Sequence, residues 1–190
     1  VRNGVLITLA VICLPAWTQA PSVPRPNGVF LEELTWMEVR DVIAAGKTTV
    51  IIPTGGTEQN GPHMARGKHN YLVKYKTSEV AKKLGNALVA PVVAYVPEGD
   101  VNPPTGHMRF AGTITLPQNV FAKLLEYAAR SLKQHGFLDI AFIGDSGGNQ
   151  AGQQLVAKLL NEEWAATSVR VHHITAYYPG RGDDWAISQS

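Results

Sequence analysis

The stretch from Thr54 to Asn70, TGGTEQNGPHMARGKHN, constrains this chain more than any other. It follows a short apolar run, Thr49-Val50-Ile51-Ile52-Pro53, of the kind that forms a buried strand, and it precedes a segment with helical spacing. Between them lie the carboxylate of Glu58, the imidazoles of His63 and His69, the amides of Gln59 and Asn60, and Gly55, Gly56, Gly61 and Gly67. Ordering so polar and glycine-rich a segment costs conformational entropy. A long polar loop directly after a buried strand is therefore read as a site, with the rest of the chain as its scaffold.

That scaffold has the means to form one core. The chain has 190 residues, 45% hydrophobic and 17% charged, which fits a single globular domain and excludes a disordered one. A net charge of +2 with no basic run or basic–aromatic stripe gives no support to nucleic-acid binding. The single cysteine, Cys13, excludes an intrachain disulfide and a multi-cysteine zinc site.

Cys13 falls in a segment patterned as a secretory leader: Arg2, the apolar run Val5 to Leu14, then Thr18-Gln19-Ala20 as a cleavage site. Residues 1–20 are expected to be removed, leaving a periplasmic or secreted chain with no stable membrane insertion. Cleavage after Ala16, lipidation at Cys13 and an uncleaved anchor helix are the alternatives. Val1 in first place suggests a bacterial non-ATG start. Residues 21–29, proline-rich, read as a linker, residues 30–178 as the domain, and residues 179–190 as a C-terminal tail.

Within the domain, Thr35-Trp36-Met37-Glu38 has the form of a capping box, and Trp36, Val39, Val42 and Ile43 follow at helical spacing until Gly46. A helix is expected from Asn70 to Leu84, with Leu72, Val73, Val80, Ala81 and Leu84 as its apolar side. Ala87 to Val93 reads as a strand that Pro91 confines to an edge or an end. Tyr95 to Gly112 is a long loop whose Glu98, Asp100 and His107 can furnish a second wall of a site. Pro117 opens a helix with the stripe Phe121, Leu124, Leu125, Ala128 and Leu132. Phe137 to Gly144 is a third strand, running into the turn Asp145-Ser146-Gly147-Gly148-Asn149. A helix over 150–164 and a strand over 169–177 complete the series. Strands and helices alternate at crossover lengths, which predicts an α/β fold with a mostly parallel sheet and helices on both faces. Sites in such folds lie at the carboxyl ends of strands, so Glu58 and Asp145 are expected to meet.

Glu58, His63, His69, His107, Asp145 and Ser146 are then the candidate chemical groups. Carboxylates and imidazoles without thiolate suit a divalent zinc, manganese or iron ion, which lowers the pKa of water and polarises a carbonyl. The spacing Glu-x4-His-x5-His matches no helix signature. Structural roles compete: Glu58 as a turn cap, His63 bonded within its loop, His69 on the surface beside Lys68, His107 shaping the loop, and Asp145-Ser146 as a helix N-cap. His172 and His173 alternate faces on a strand. Trp36 and Trp164 read as core or helix-packing residues. The RGD triplet 181–183 reads as chance, and no nucleophile-elbow triad is present.

Four pieces occur together in order: Pro53-Thr54-Gly55-Gly56-Thr57-Glu58-Gln59-Asn60-Gly61-Pro62-His63, Gly106-His107-x-x-Phe110-x-Gly112-Thr113, His135-Gly136-Phe137 and Gly147-Gly148-Asn149. On these residues the chain resembles the creatininase (creatinine amidohydrolase) family over residues 30–178. The resemblance implies a three-layer α/β/α sandwich, often oligomeric, that hydrolyses C–N bonds in small or cyclic amides with divalent metal. It also implies departures. The family motif Glu-Gln-His-Gly-Pro-His keeps Glu58 but has Asn60 at its first His. The family's metal-bridging Asp aligns with His69, and the His of Asn-Gly-His-Gly-Gly-Asn aligns with Ser146. A late His-Ala-Gly segment is missing.

Three readings follow from this. In the first, Glu58, His69 and Asp145 hold one ion of a variant amide hydrolase, with His107 assisting proton transfer. In the second, the chain is a catalytically inactive binding protein on the same scaffold. In the third, it is a truncated pseudoenzyme.

Overall fold

Val50, Ile51 and Ile52 are all 1% exposed or less. A strand buried on both faces belongs at the centre of a parallel sheet covered by helices. The computed structural model, which describes residues 28–178, places it there. β1 (Thr49–Thr54) lies between β2 (Ala87–Val89) and β3 (Asp139–Gly144), and β4 (Arg170–His173) pairs with the far side of β3. Every pairing is parallel, with Ile51 opposite Val89 on one side and Ala141 on the other. The leader, most of the linker and the tail lie outside the described residues. Among the described residues no helix is long and apolar enough to cross a membrane.

Alternate strand residues feed two cores. Val50, Ile52, Leu88, Ile140 and Phe142 face α1 (Trp36–Ala44), α3 (Gln118–Gln134) and α4 (Gly147–Glu163), where they meet Val42, Phe121, Leu125, Val156 and Leu160. Ile51, Val89 and Ile143 turn the other way, onto Val73 and Ala81 of α2 (Lys68–Leu84). The result is a three-layer α/β/α sandwich, as expected. Burying one such side chain contributes roughly 1.5–3 kcal/mol relative to leaving it exposed. The first face, which holds Phe121, Phe137 and Phe142, therefore carries more of the stability.

The capping box at α1 is present: Thr35 Oγ1 accepts from the Glu38 N–H at 3.3 Å, and the Thr35 N–H donates to Glu38 Oε2 at 2.7 Å. Trp36, expected in the core or packed between helices, is instead 72% exposed, with the Arg40 guanidinium 5.4 Å from its ring centroid. It stands at the first turn of a short helix whose one buried residue is Val42. Trp164 is in the core as expected.

α2 also differs from expectation. It begins at Lys68, so His69 sits in its first turn rather than in the loop. Its buried line is His69, Val73, Thr77 and Ala81, spaced four apart, while Leu72, Val80 and Leu84 are exposed. Thr77 can be buried because its hydroxyl donates to the Val73 carbonyl at 2.6 Å. The buried side of the helix thus carries His69 in line with Val73 and Ala81 rather than its largest apolar side chains. β2 and β4 are shorter than expected, and α4 begins at Gly147 rather than residue 150.

The strand order β2-β1-β3-β4 puts β2 on one side of β1 and β3 on the other. The connections diverge at the β1/β3 boundary, so a crevice opens beyond the carboxyl ends of these two strands.

Candidate active site

β1 is held at its exit by α4. Asn149 and Gln153, both fully buried, reach across: Asn149 Nδ2 donates to the carbonyls of Thr54 and Gly55 at 3.1 and 2.9 Å, and Gln153 Nε2 donates to Thr54 Oγ1 at 2.8 Å. Gly55 leaves room for Asn70, whose Oδ1 accepts the Gly56 N–H at 3.0 Å. A Cβ at Gly55 would collide with Asn70, and one at Gly56 would collide with the Glu98 carboxyl. The glycines of this loop thus serve close approach from two directions.

The chain so held turns Glu58 inward, 5% exposed. His69, on the first turn of α2, stands between it and β3: Nε2 is 2.7 Å from Glu58 Oε1, and Nδ1 is 2.8 Å from Asp145 Oδ2. Tyr177, beyond β4, donates its hydroxyl to the other Asp145 oxygen at 2.6 Å. The three residues expected as metal ligands are therefore in one connected line, Glu58–His69–Asp145.

Residues 90–117 supply the facing wall. The loop is folded on itself by the Glu98 N–H donating to Thr115 Oγ1 at 3.0 Å and the His107 N–H donating to the Glu98 carbonyl at 3.0 Å. This brings Glu98, 5% exposed, and His107 against Glu58, with His107 Nε2 3.3 Å from Glu58 Oε2. Ligand atoms of Glu58, Glu98 and His107 lie within 4.8 Å of one another.

Charge is distributed unevenly over these groups. For His69, burial disfavours the imidazolium, but the bonds to Asp145 and Glu58 outweigh it and raise the pKa to about 9. For Glu58, burial acts upward, and the bonds from His69 and Glu98 pull the carboxyl down to about 2. For Glu98, burial and the adjacent Glu58 act together and push it up to about 9. Burial and Asp145 keep the Tyr177 phenol protonated, as its role as donor requires.

Glu58 Oε2 and Glu98 Oε1 are both buried and neither makes a well-formed hydrogen bond, with His107 Nε2 standing 3.3 Å from Glu58 Oε2. Two buried carboxyl oxygens facing each other need either a proton or a cation between them. Glu98 holding its proton is the first solution, and a divalent ion is the second. An oxygen and imidazole donor set suits zinc, manganese or iron, so the residues present fit such an ion.

A cavity of about 420 Å³ opens over this floor, lined by Lys68, His69, Glu98, His107 and Asp145 together with the first turn of α4. That volume is in the range of small-molecule sites, about 300–1,000 Å³. A larger groove of about 690 Å³ between α1 and α3 is lined mainly by apolar residues such as Leu31, Trp36, Ile43 and Phe137. The paired carboxyl and imidazole groups line the smaller cavity and not this groove.

Of the residues expected from sequence, Glu58, His69, His107, Asp145 and Ser146 line this cavity, and His63 is exposed with no partner among the described residues. Ser146 is the N-cap residue of α4, but its side chain makes no capping bond. Of the strand pair, His172 is exposed beside Asp139 and His173 is half-buried against Gln150. Glu98, noted only as part of a second wall, proves central. Tyr177 went unnoticed because nothing in its local sequence points toward Asp145.

Comparison with known proteins agrees with this fold. The family model Creatininase, described as creatinine amidohydrolase, matches residues 32–187. A creatinine amidohydrolase of Pseudomonas putida is 32% identical over 110 residues, 58% of this chain and 42% of that protein. A mycofactocin precursor peptide peptidase of Mycolicibacterium smegmatis is 29% identical over 130 residues, 63% of this chain and 50% of that protein. A solved manganese creatininase superposes with a TM-score of 0.67 at 26% identity, covering 85% of this chain and 63% of that one. The chain spans half or less of the length of these curated relatives. With the family model matched over most of its length and the fold shared, the chain belongs to the creatininase (creatinine amidohydrolase) family.

Proposed function

We propose that the chain is a metal-dependent hydrolase of C–N bonds in a small or cyclic amide, working with one divalent ion. The observation that carries this reading is the pair of buried carboxyl oxygens without a well-formed hydrogen bond, Glu58 Oε2 and Glu98 Oε1, with His107 beside them. Glu58, Glu98 and His107 would hold the ion, which supplies Lewis acidity toward a carbonyl and toward water. Glu58 is shared with the set Glu58, His69 and Asp145 expected from sequence. In that set the two nitrogens of His69 point in opposite directions, one to each carboxylate. His69 can join Glu58 through Nε2 only, and Asp145 then stays behind it as the group that fixes the ring.

The remaining steps belong to the protein. With the ion bound, Glu98 gives up the proton it holds in the metal-free protein and serves as a carboxylate ligand, and His107, expected from the sequence to assist proton transfer, is a ligand beside it. The His69 imidazolium, bonded to Glu58 and Asp145, is then the protonated group at the site. The half-open cavity admits a small amide.

Elemental analysis of the purified protein after dialysis against metal-free buffer tests the reading, with about one zinc, manganese or iron per chain expected. A well-folded protein that holds no metal and takes none up overturns it. That result would favour the inactive binding protein, a reading for which the engagement of both His69 nitrogens by carboxylates speaks.

Tyr177 bears on the same reading. Tyr177→Phe removes the donor that fixes Asp145, and through it His69. Metal affinity, measured by competition with a chromophoric chelator, is expected to fall about tenfold, as for other residues that orient ligands. An unchanged affinity would mean that the Asp145–His69 line does not serve the ion.

A further inference from the structure

The cavity has two unlike walls. The wall just described presents acceptors. The rest of the lining presents donors without acceptors. Asn60 Nδ2 is buried and has no partner. Ser146 is 5% exposed, lines the cavity, and its hydroxyl bonds to no described residue. Lys68 lines the same space and lies within ion-pair distance of no described carboxylate. Gly147 and Gly148 begin α4, and the first N–H groups of a helix have no partner within it. A Cβ at Gly148 would meet the Pro97 carbonyl, so the loop and the helix terminus close on each other only because this residue has no side chain.

The negative charge nearest this wall is already engaged. Asp145 spends one oxygen on His69 and the other on Tyr177. Asn60 and Ser146 are left without a partner among the described residues, with Lys68 and the start of α4 beside them in the cavity lining, and a buried donor without an acceptor carries a cost that a ligand removes. A neutral amide would meet part of this set, but a planar anion meets a cation, a hydroxyl and a helix N-terminus together.

We propose that this wall is a carboxylate subsite, and that the substrate is a small amide bearing a carboxylate group. This rests on the reading of the site as an amide hydrolase, which it deepens. Asn60 and Ser146 occupy two positions where the family resemblance leads one to expect metal-binding histidines, so the loss of ligands there is a gain of substrate donors. The amide carbonyl is then presented toward Glu58, Glu98 and His107 while the carboxylate is held by Lys68 and Ser146.

The test is calorimetric binding of N-acetylglycine and its neutral counterpart N-acetylglycinamide to the full chain, both as purified and after metal removal. N-acetylglycine is expected to bind at least about tenfold more tightly, the scale of a hydrogen bond to a charged group. Lys68→Met is expected to abolish that preference and leave N-acetylglycinamide binding as it was. Ser146→Ala should reduce the preference in part, and circular dichroism confirms that both variants are folded. Equal binding of the two compounds, or binding of neither, overturns the subsite. A preference that survives Lys68→Met and vanishes on metal removal also overturns it, because the carboxylate would then be on the ion; the metal reading would stand. A preference that depends on Lys68 in a protein that holds no metal supports the subsite and defeats the metal reading, so the two fail separately.

Discussion

Glu58→Ala is expected to bring bound metal from about one equivalent per chain to none after dialysis, in a protein that still folds. Glu58 is the residue on which both halves of the site converge: its Oε1 meets His69 and its Oε2 faces His107 and Glu98. Removing it does more than delete a ligand. His69 loses the partner of Nε2, and Glu98 loses the charge that keeps it protonated. The fold should survive, because the strand leading to Glu58 is held by Asn149, Gln153 and the β2 and β3 ladders, none of which uses the Glu58 side chain. Metal content is read by elemental analysis and folding by far-ultraviolet circular dichroism. Glu98→Gln provides the graded case, since it keeps volume and hydrogen bonding but cannot carry charge, and it should weaken binding strongly. Full retention of metal in Glu58→Ala would remove the ion from this site altogether.

The sequence and the structure agree best where the physics is local. The run Thr49 to Pro53 was legible as a buried strand because apolar side chains occupy both of its faces. The meeting of Glu58 with Asp145 followed from placing each just past a strand end in a parallel sheet, with no knowledge of side-chain positions. His69 was legible as a candidate, but its burial was not, because burial depends on which way α2 turns. That rotation is settled by the bonds to Glu58 and Asp145, which are distant in sequence. Glu98 lies in a loop with neither periodicity nor motif. Its importance appears only once Thr115 and His107 fold that loop back against Gly56, whose missing side chain makes the space. Tyr177 and Trp36 fail for opposite reasons. One lies past the last strand, where packing against the second core, Lys76 and a hydrogen bond to Asp145 fix it, and the other is a large apolar residue left exposed at the first turn of α1.

The metal-free protein is expected to be most stable near pH 4.5 and to lose stability on either side, more steeply above about pH 6.5. His69 binds its proton more tightly folded than unfolded, with a pKa of about 9 against 6.5. Its contribution is complete below 6.5 and is lost as the pH rises through 9. Glu98 acts in the same direction: its pKa is raised from 4.5 to about 9, so the folded state is increasingly disfavoured above 4.5, where the unfolded carboxyl ionises freely. Glu58 acts oppositely, with a pKa lowered from 4.5 to about 2, and its contribution fades only as the pH falls through that interval. The thermal midpoint should therefore drop by several degrees between about pH 6 and 9, given that 1 kcal/mol corresponds to roughly 2–4 °C in a chain of this size. Zinc added in excess should oppose the alkaline fall, because an ion favours the ionised Glu98 that high pH also favours. Glu98→Gln should flatten the alkaline limb in the metal-free protein, since the amide has no proton to lose. His69→Gln should flatten the part between 6.5 and 9 for the same reason. A midpoint that stays level or rises from pH 6 to 9 in metal-free protein would mean that no proton is held between Glu58 and Glu98, and that the His69 imidazolium is not what joins Glu58 to Asp145.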